Sequence, residues 1–303
     1  MSRYSIGVDL GGTNLRAAAI DQSGVIVEKL SGRTNLTAGR DAVVGDIAGS
    51  VLRLCERCGR SPSGIGIGVP GIIDMARGVI AISPNLPGFE DFPVRDEIER
   101  RLKAPVILEN DANAAALGEK WMGAGKNVDD LVLLTLGTGI GGGIIHRGQI
   151  VHGSVGMAGE LGHVKVVRDG NPCGCGSRGC LEAHASATAV CAMARLLSLG
   201  DGLAAAEVAL LATEGNTRAR LVFETMGRAL GVALANLVNI FNFPLYLLSG
   251  GLLGAWDLFA PSMMEEVRQS SYVFRNSGAR IERAILGNEA GLYGAAFLPF
   301  LNS

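Results

Sequence analysis

A chain of 303 residues, 48% hydrophobic and 18% charged, has the length for two globular domains and a composition that excludes disorder. Its net charge of −2 excludes long-range attraction to nucleic acid or anionic lipid, so neither is expected as a partner. Six cysteines in so long a chain do not make a secreted disulfide framework, and the cytoplasm is the expected compartment.

Ser2, Arg3 and Tyr4 lead straight into a strand-like run over 4–10, so no secretory leader is expected. A tight turn, Gly11-Gly12-Thr13-Asn14, separates it from a second strand over 15–20, and a third follows over 25–30. A helix over 41–58, a strand over 65–69 ending at Pro70-Gly71, a helix over 94–102 and a strand over 106–108 come next. That last strand stops at Glu109-Asn110-Asp111, and a helix over 112–121 begins with Asp111 near its N-terminus. A strand over 131–136, the connection Gly137-Thr138-Gly139-Ile140-Gly141-Gly142-Gly143 and a further strand repeat the opening pattern, as a duplicated unit would. A helix-rich region spans about 180–241, a buried strand over 245–248 ends at Ser249-Gly250-Gly251, and a last helix covers 289–301. Residues 229–256 carry no charge, but three asparagines and Pro244 interrupt them, which favours a buried helix feeding a buried strand over a membrane span.

Asp9-Leu10-Gly11-Gly12-Thr13-Asn14 puts an acid at a strand end beside glycines whose N–H groups can face an anion. Alone it is equally a plain hairpin turn. The partner turn Leu136-Gly137-Thr138-Gly139, at the matching place in the second half, favours two clamps on one polyphosphate, with Asp9 reaching Mg²⁺ directly or through water. Gly125-Lys126 lacks the spacing of a P-loop, and Gly7 to Gly12 does not make G-x-G-x-x-G.

His163, Cys173, Cys175 and Cys180 follow the pattern H-x9-C-x-C-x4-C. One imidazole and three thiolates fill a closed tetrahedral Zn²⁺ shell, which makes the ion structural. The loop has almost nothing apolar to bury, whereas structural zinc supplies about 10–16 kcal/mol in small sites. Cys55 and Cys58, at the end of an amphipathic helix, read as packing or surface thiols; Cys191 and His184 look ordinary, and His146 and His152 carry no signal. Asp111 serves as a helix N-cap, as the base for an attacking hydroxyl, or as both. Glu160 and Glu182 flank the metal ligands, which would draw both carboxylates to one place, suited to sugar hydroxyls.

Gly159-Glu160-Leu161-Gly162-His163 with Cys173-Gly174-Cys175-Gly176-x-x-Gly179-Cys180-Leu181-Glu182 resembles the signature of the ROK family (repressors, open reading frames and kinases). The two Gly/Thr turns resemble its phosphate motifs and Glu109-Asn110-Asp111 its catalytic segment, in order over nearly the whole chain. The resemblance implies the actin-like, hexokinase-type ATPase fold, two α/β domains flanking a cleft: 1–115 with the helix 289–303 packing back on it, and 116–288 with the zinc loop 163–182. It implies Asp111 as base, and Gly71, Asn85, Asn110, Glu160, His163 and Glu182 as sugar ligands, His163 being shared with zinc. Gly11, Gly12, Thr13, Asn14, Thr138 and Gly139 would hold phosphates, and Gly250 and Gly251 would face adenosine.

ATP, Mg²⁺ and Zn²⁺ are thereby expected, with a sugar as substrate and a homodimer as the assembly. Glucose 6-hydroxyl phosphorylation is expected from the segments around the motifs; N-acetylglucosamine, N-acetylmannosamine and fructose are the alternatives, since the motifs are common to all. A sugar-responsive repressor would carry an N-terminal DNA-binding region, which a chain opening in its first strand does not suggest. A filament or chaperone ATPase of this fold would not explain the sugar and zinc motifs.

Overall fold

The computed structural model describes residues 3–301. Strands β1 (Tyr4–Leu10), β2 (Asn14–Asp21) and β3 (Ile26–Arg33) form an antiparallel meander, followed by helix α1 (Arg40–Cys58) and strand β4 (Ile65–Val69). A small hairpin of β5 (Ile72–Asp74) and β6 (Val79–Ile82) comes next, then α2 (Val94–Leu102), β7 (Ile107–Asn110) and α3 (Asp111–Met122). The sheet runs β3-β2-β1-β4-β7, with β1, β4 and β7 parallel. Parallel strands covered on both faces read as near-continuous apolar runs, and β4, Ile-Gly-Ile-Gly-Val, is buried along its length.

On one face Ile6, Val8 and Ile67 pack with Val44, Ile47 and Leu54 of α1. On the other, Ala18 and Ile20 meet Leu292 and Ala296 of the terminal helix α10 (Ala290–Leu301). That helix also packs along α3, and small residues permit the approach: a Cβ on Gly118 or Gly294 would strike the opposing backbone at Ala290 or Ala114.

The second sheet repeats the design. Strands β8 (Leu131–Leu136), β9 (Ile140–His146) and β10 (Gln149–Ile150) precede α4 (Glu182–Ala185), α5 (Ala187–Leu196), α6 (Ala205–Thr213) and α7 (Thr217–Phe241). Strand β11 (Leu245–Ser249), α8 (Trp256–Ser270), α9 (Tyr272–Asn276) and β12 (Arg280–Arg283) complete it. The order is β10-β9-β8-β11-β12, with β8, β11 and β12 parallel, so each half is a meander extended by two parallel strands. The expected α/β architecture with duplicated halves is the one observed.

Contacts cluster into two compact units, 1–129 with 143–159 and 285–303, and 130–142 with 160–284. The division follows Asp129, beyond the expected 115, because the whole of α3 stays packed on α10. Among the described residues α7 has the length and apolarity of a membrane span, but 67% of its apolar window is buried, so it is a core helix. The β5–β6 hairpin, α8 and β12 are additions to the elements read from the sequence.

Candidate active site and metal centre

In the first unit the expected residues gather where β1, β4 and β7 end, the edge at which open α/β sheets bind ligands. Asn110 and Asp111 follow β7, and here the sequence reading of the cap is corrected. The N-cap of α3 is Asn110, whose Oδ1 accepts the N–H groups of Ala112 at 2.9 Å and Asn113 at 3.1 Å. Asp111 is the first helical residue, with Oδ1 accepting the Ala112 N–H at 2.9 Å. The Asn110 amide donates to the Gly71 carbonyl at 3.0 Å. Gly71, at φ +109, has no room for a side chain beside Ser83.

The first turn closes with the Gly11 N–H on the Asn14 carbonyl at 2.8 Å, and Thr34 Oγ1 donates to the Gly11 carbonyl at 2.7 Å. Asn14 opens β2 rather than ending the turn. Gly12 lies against the Asn85 backbone, which brings the first Gly/Thr turn beside an expected sugar ligand; Thr13 and Asn85 are exposed. Asp9 is paired across the hairpin with Arg16, whose guanidinium stands 3.5 Å from its carboxylate and also donates to the Asn288 carbonyl. Burial raises the Asp9 carboxyl above its usual range, and Arg16 opposes that. Arg16 escaped the sequence reading although the hairpin register places it opposite Asp9.

Glu109 directly precedes Asn110 and Asp111 at the end of β7. It is 2% exposed, and its carboxylate accepts from the Asn110 N–H at 2.8 Å and from Asn113 Nδ2 at 3.0 Å, with His152 Nε2 at 2.7 Å on the other oxygen. That hydrogen bond holds the His152 pKa above the ordinary imidazole value.

In the second unit the turn after β8 closes with the Gly137 N–H on the Gly139 carbonyl at 3.0 Å. The α4–α5 junction braces it: Ala187 N–H donates to the Gly137 carbonyl at 2.9 Å and Thr188 Oγ1 to the Thr138 carbonyl at 2.8 Å. Thr138 itself is exposed. Glu182, first residue of α4, accepts the Ile140 N–H at 2.9 Å and fills the space where a Gly139 side chain would lie. Gly250 and Gly251 follow β11, and Gly250 rests on the Leu136 backbone at the start of the same turn.

His163, Cys173, Cys175 and Cys180 bring four ligand atoms within 4.8 Å of one another. Cys175 and Cys180 sulfurs stand 3.7 Å apart, and Cys173 Sγ is 3.6 Å from His163 Nδ1. A tetrahedron with Zn–S near 2.3 Å and Zn–N near 2.05 Å has S–S edges of about 3.8 Å and S–N edges of about 3.6 Å, so the donor set fits zinc in chemistry and spacing. Burial pushes the Cys173 thiol up to about 11, while a backbone hydrogen bond at Ser177 draws the Cys175 thiol below its ordinary value. Lys165 Nζ lies 3.1 Å from Cys180 Sγ and also donates to Ser177 Oγ, a cation suited to a shell of three thiolates. No spacing rule pointed to Lys165.

His184 braces the same loop. Its Nε2 accepts the Asn171 N–H at 3.1 Å, and burial lowers its pKa, which keeps that nitrogen an acceptor. His163 turns its other nitrogen, Nε2, toward Glu160 at 3.9 Å. Glu160, His163 and Glu182 therefore share the neighbourhood of the four ligands, Glu182 Oε1 lying 4.0 Å from Cys173 Sγ.

The comparisons agree with one another. Residues 5–300 match the ROK family. A glucokinase of Halalkalibacterium halodurans is 38% identical over 316 residues, covering 98% of this chain and 94% of that one. Two solved structures are similar at 35% identity. A ROK hexokinase from Thermus thermophilus aligns over 99% of this chain and 98% of its own with a TM-score of 0.89. A ROK family glucokinase from Streptomyces griseus, in complex with glucose and AMPPNP, aligns over 97% and 98% with a TM-score of 0.80.

Proposed function

The chain belongs to the ROK family, and from that membership we propose that it is an ATP-dependent hexose kinase transferring the γ-phosphoryl group to the 6-hydroxyl of glucose. The observation that carries this reading is the near full-length similarity to glucokinases together with Asp111 held at the start of α3.

In this reading Asp111 orients the sugar 6-hydroxyl and takes its proton as the new O–P bond forms and the bond to the β-phosphate oxygen breaks, giving sugar 6-phosphate and ADP. Phosphoryl transfer passes through a loose transition state, so orientation and charge neutralisation matter more than early deprotonation. Gly71, Asn85, Asn110, Glu160, His163 and Glu182 bind sugar hydroxyls. Gly11, Gly12, Thr13, Asn14, Thr138 and Gly139 hold phosphate oxygens, and Gly250 and Gly251 face adenosine. Asp9 would hold Mg²⁺ directly or through water, and the metal would neutralise phosphate charge.

Zinc would be held by His163, Cys173, Cys175 and Cys180 and would stiffen the loop that carries Glu182. With Nδ1 on the side of the cysteines, His163 would serve the metal through that nitrogen and would keep Nε2 for Glu160 and the sugar. The same membership suggests a cytoplasmic homodimer. A coupled ADP-release assay over hexoses and N-acetylhexosamines tests the substrate: the highest kcat/KM is expected with glucose. A preference for N-acetylglucosamine, N-acetylmannosamine or fructose would move the specificity within the family, and no sugar-dependent ADP release would point to a regulator.

A further inference from the structure

We propose that His152 is a positioning residue for phosphoryl transfer, acting through Glu109 to fix the segment Asn110–Asp111. The inference rests on the role given above to Asp111.

A carboxylate buried as deeply as Glu109 is stable only when both oxygens have partners. One oxygen serves the backbone of Asn110 and the side chain of Asn113, so it grips α3 at its cap and at its third residue. The other oxygen has His152 Nε2 at 2.7 Å, from a residue 43 positions away in sequence. Asn110 in turn caps α3 and reaches the Gly71 carbonyl. The direction in which Asp111 leaves β7 is therefore set by a chain of hydrogen bonds whose far end is an imidazole.

His152 is itself held. Strand β10 ends two residues before it, Val151 N–H donates to the Ile144 carbonyl at 2.9 Å, and the His152 carbonyl accepts the Ala158 N–H at 3.1 Å. This closes the segment that leads into Glu160. The same residue thus ties the base segment through its side chain and the approach to Glu160 through its backbone. With the imidazole gone, Glu109 keeps a buried oxygen without its partner and turns to find another, and the Asn110 and Asn113 contacts move with it. Displacement of the base by an ångström costs about 100-fold in rate.

The side chain of His152 is 39% exposed, so replacing it spares the core. The test compares His152→Ala and His152→Gln in the full-length zinc-loaded enzyme, by steady-state kinetics with sugar and ATP varied separately, with zinc content and circular dichroism measured alongside. Gln carries an amide N–H where the imidazole has Nε2. The expected result for the Ala variant is a kcat lower by about 10- to 100-fold and a sugar KM raised several-fold, with ATP KM and zinc content unchanged. The Gln variant is expected to recover to within about threefold of the parent.

An Ala variant within about twofold of the parent in kcat and sugar KM overturns the proposal. So does a loss of kcat at constant sugar KM with Gln no better than Ala, the mark of a smaller folded fraction. A parent enzyme that phosphorylates no sugar overturns the kinase reading as well, so the two failures are told apart.

Discussion

Glu182 Oε2 accepts the Ile140 N–H at 2.9 Å, and this one hydrogen bond joins the cysteine loop to the turn after β8. The space is taken from Gly139, whose missing side chain would lie on the Glu182 carboxylate. Its other oxygen lies 4.0 Å from Cys173 Sγ. A residue that reads in sequence as a sugar ligand is therefore also a brace for the turn after β8.

Replacing Glu182 with Ala is expected to raise both sugar KM and ATP KM and to lower kcat/KM by about 10- to 100-fold, the loss of a hydrogen bond to a charged group being worth about 1.5–3 kcal/mol. Steady-state kinetics with each substrate varied in turn checks this. An effect confined to sugar KM would leave Glu182 as a sugar ligand only.

Cys175→Ser is expected to lose zinc and activity together. The parent should carry about one zinc per chain by elemental analysis, and a chelator that strips it should lower the melting temperature. Active parent protein without zinc would contradict the metal assignment.

Glu119 is fully buried at the end of α3 and accepts N–H groups from Ala124 at 2.9 Å, Ile285 at 3.3 Å and Leu286 at 2.7 Å. It thereby pins the chain just before it leaves the first unit and just after it returns. Glu119→Leu removes a buried acceptor and leaves three donors unpaired, for an expected loss of about 3 kcal/mol or more in urea unfolding. A loss under about 1 kcal/mol would mean water satisfies those donors.

His152 is titratable in a useful range. Its hydrogen bond to Glu109 raises its folded pKa above the unfolded value, so the associated stability is present in full below about pH 6.5 and is lost as pH rises through the folded pKa. Asp74 and His152 line one cavity, and Asp74 is itself engaged by Arg77 at 3.9 Å. The melting temperature of the parent should exceed that of His152→Gln most at pH 5.5, with the gap narrowing toward pH 8.5. A gap that widens with pH would reverse the sign of the interaction.

Much of this was legible because it is local. The strands over 65–69 and 131–136 are apolar runs, bounded by Gly64 and Pro70 and by Asp130 and Gly137, and the four cysteine-loop ligands follow from residue type and spacing. The cap of α3 was off by one because Asn and Asp cap equally well, and the choice was made by a distant carbonyl at Gly71. Strands β5 and β12, of three and four residues, are too short for alternation to register. Lys165, His152 and Arg16 were missed for another reason: each is defined by a partner that only the fold brings near.

Asp111→Asn, assayed for glucose-dependent ADP release and for glucose binding by calorimetry, bears on the kinase reading where it is strongest. The account predicts a kcat lower by about 10²–10⁴-fold with glucose affinity largely kept. Near-normal turnover in that variant would contradict it.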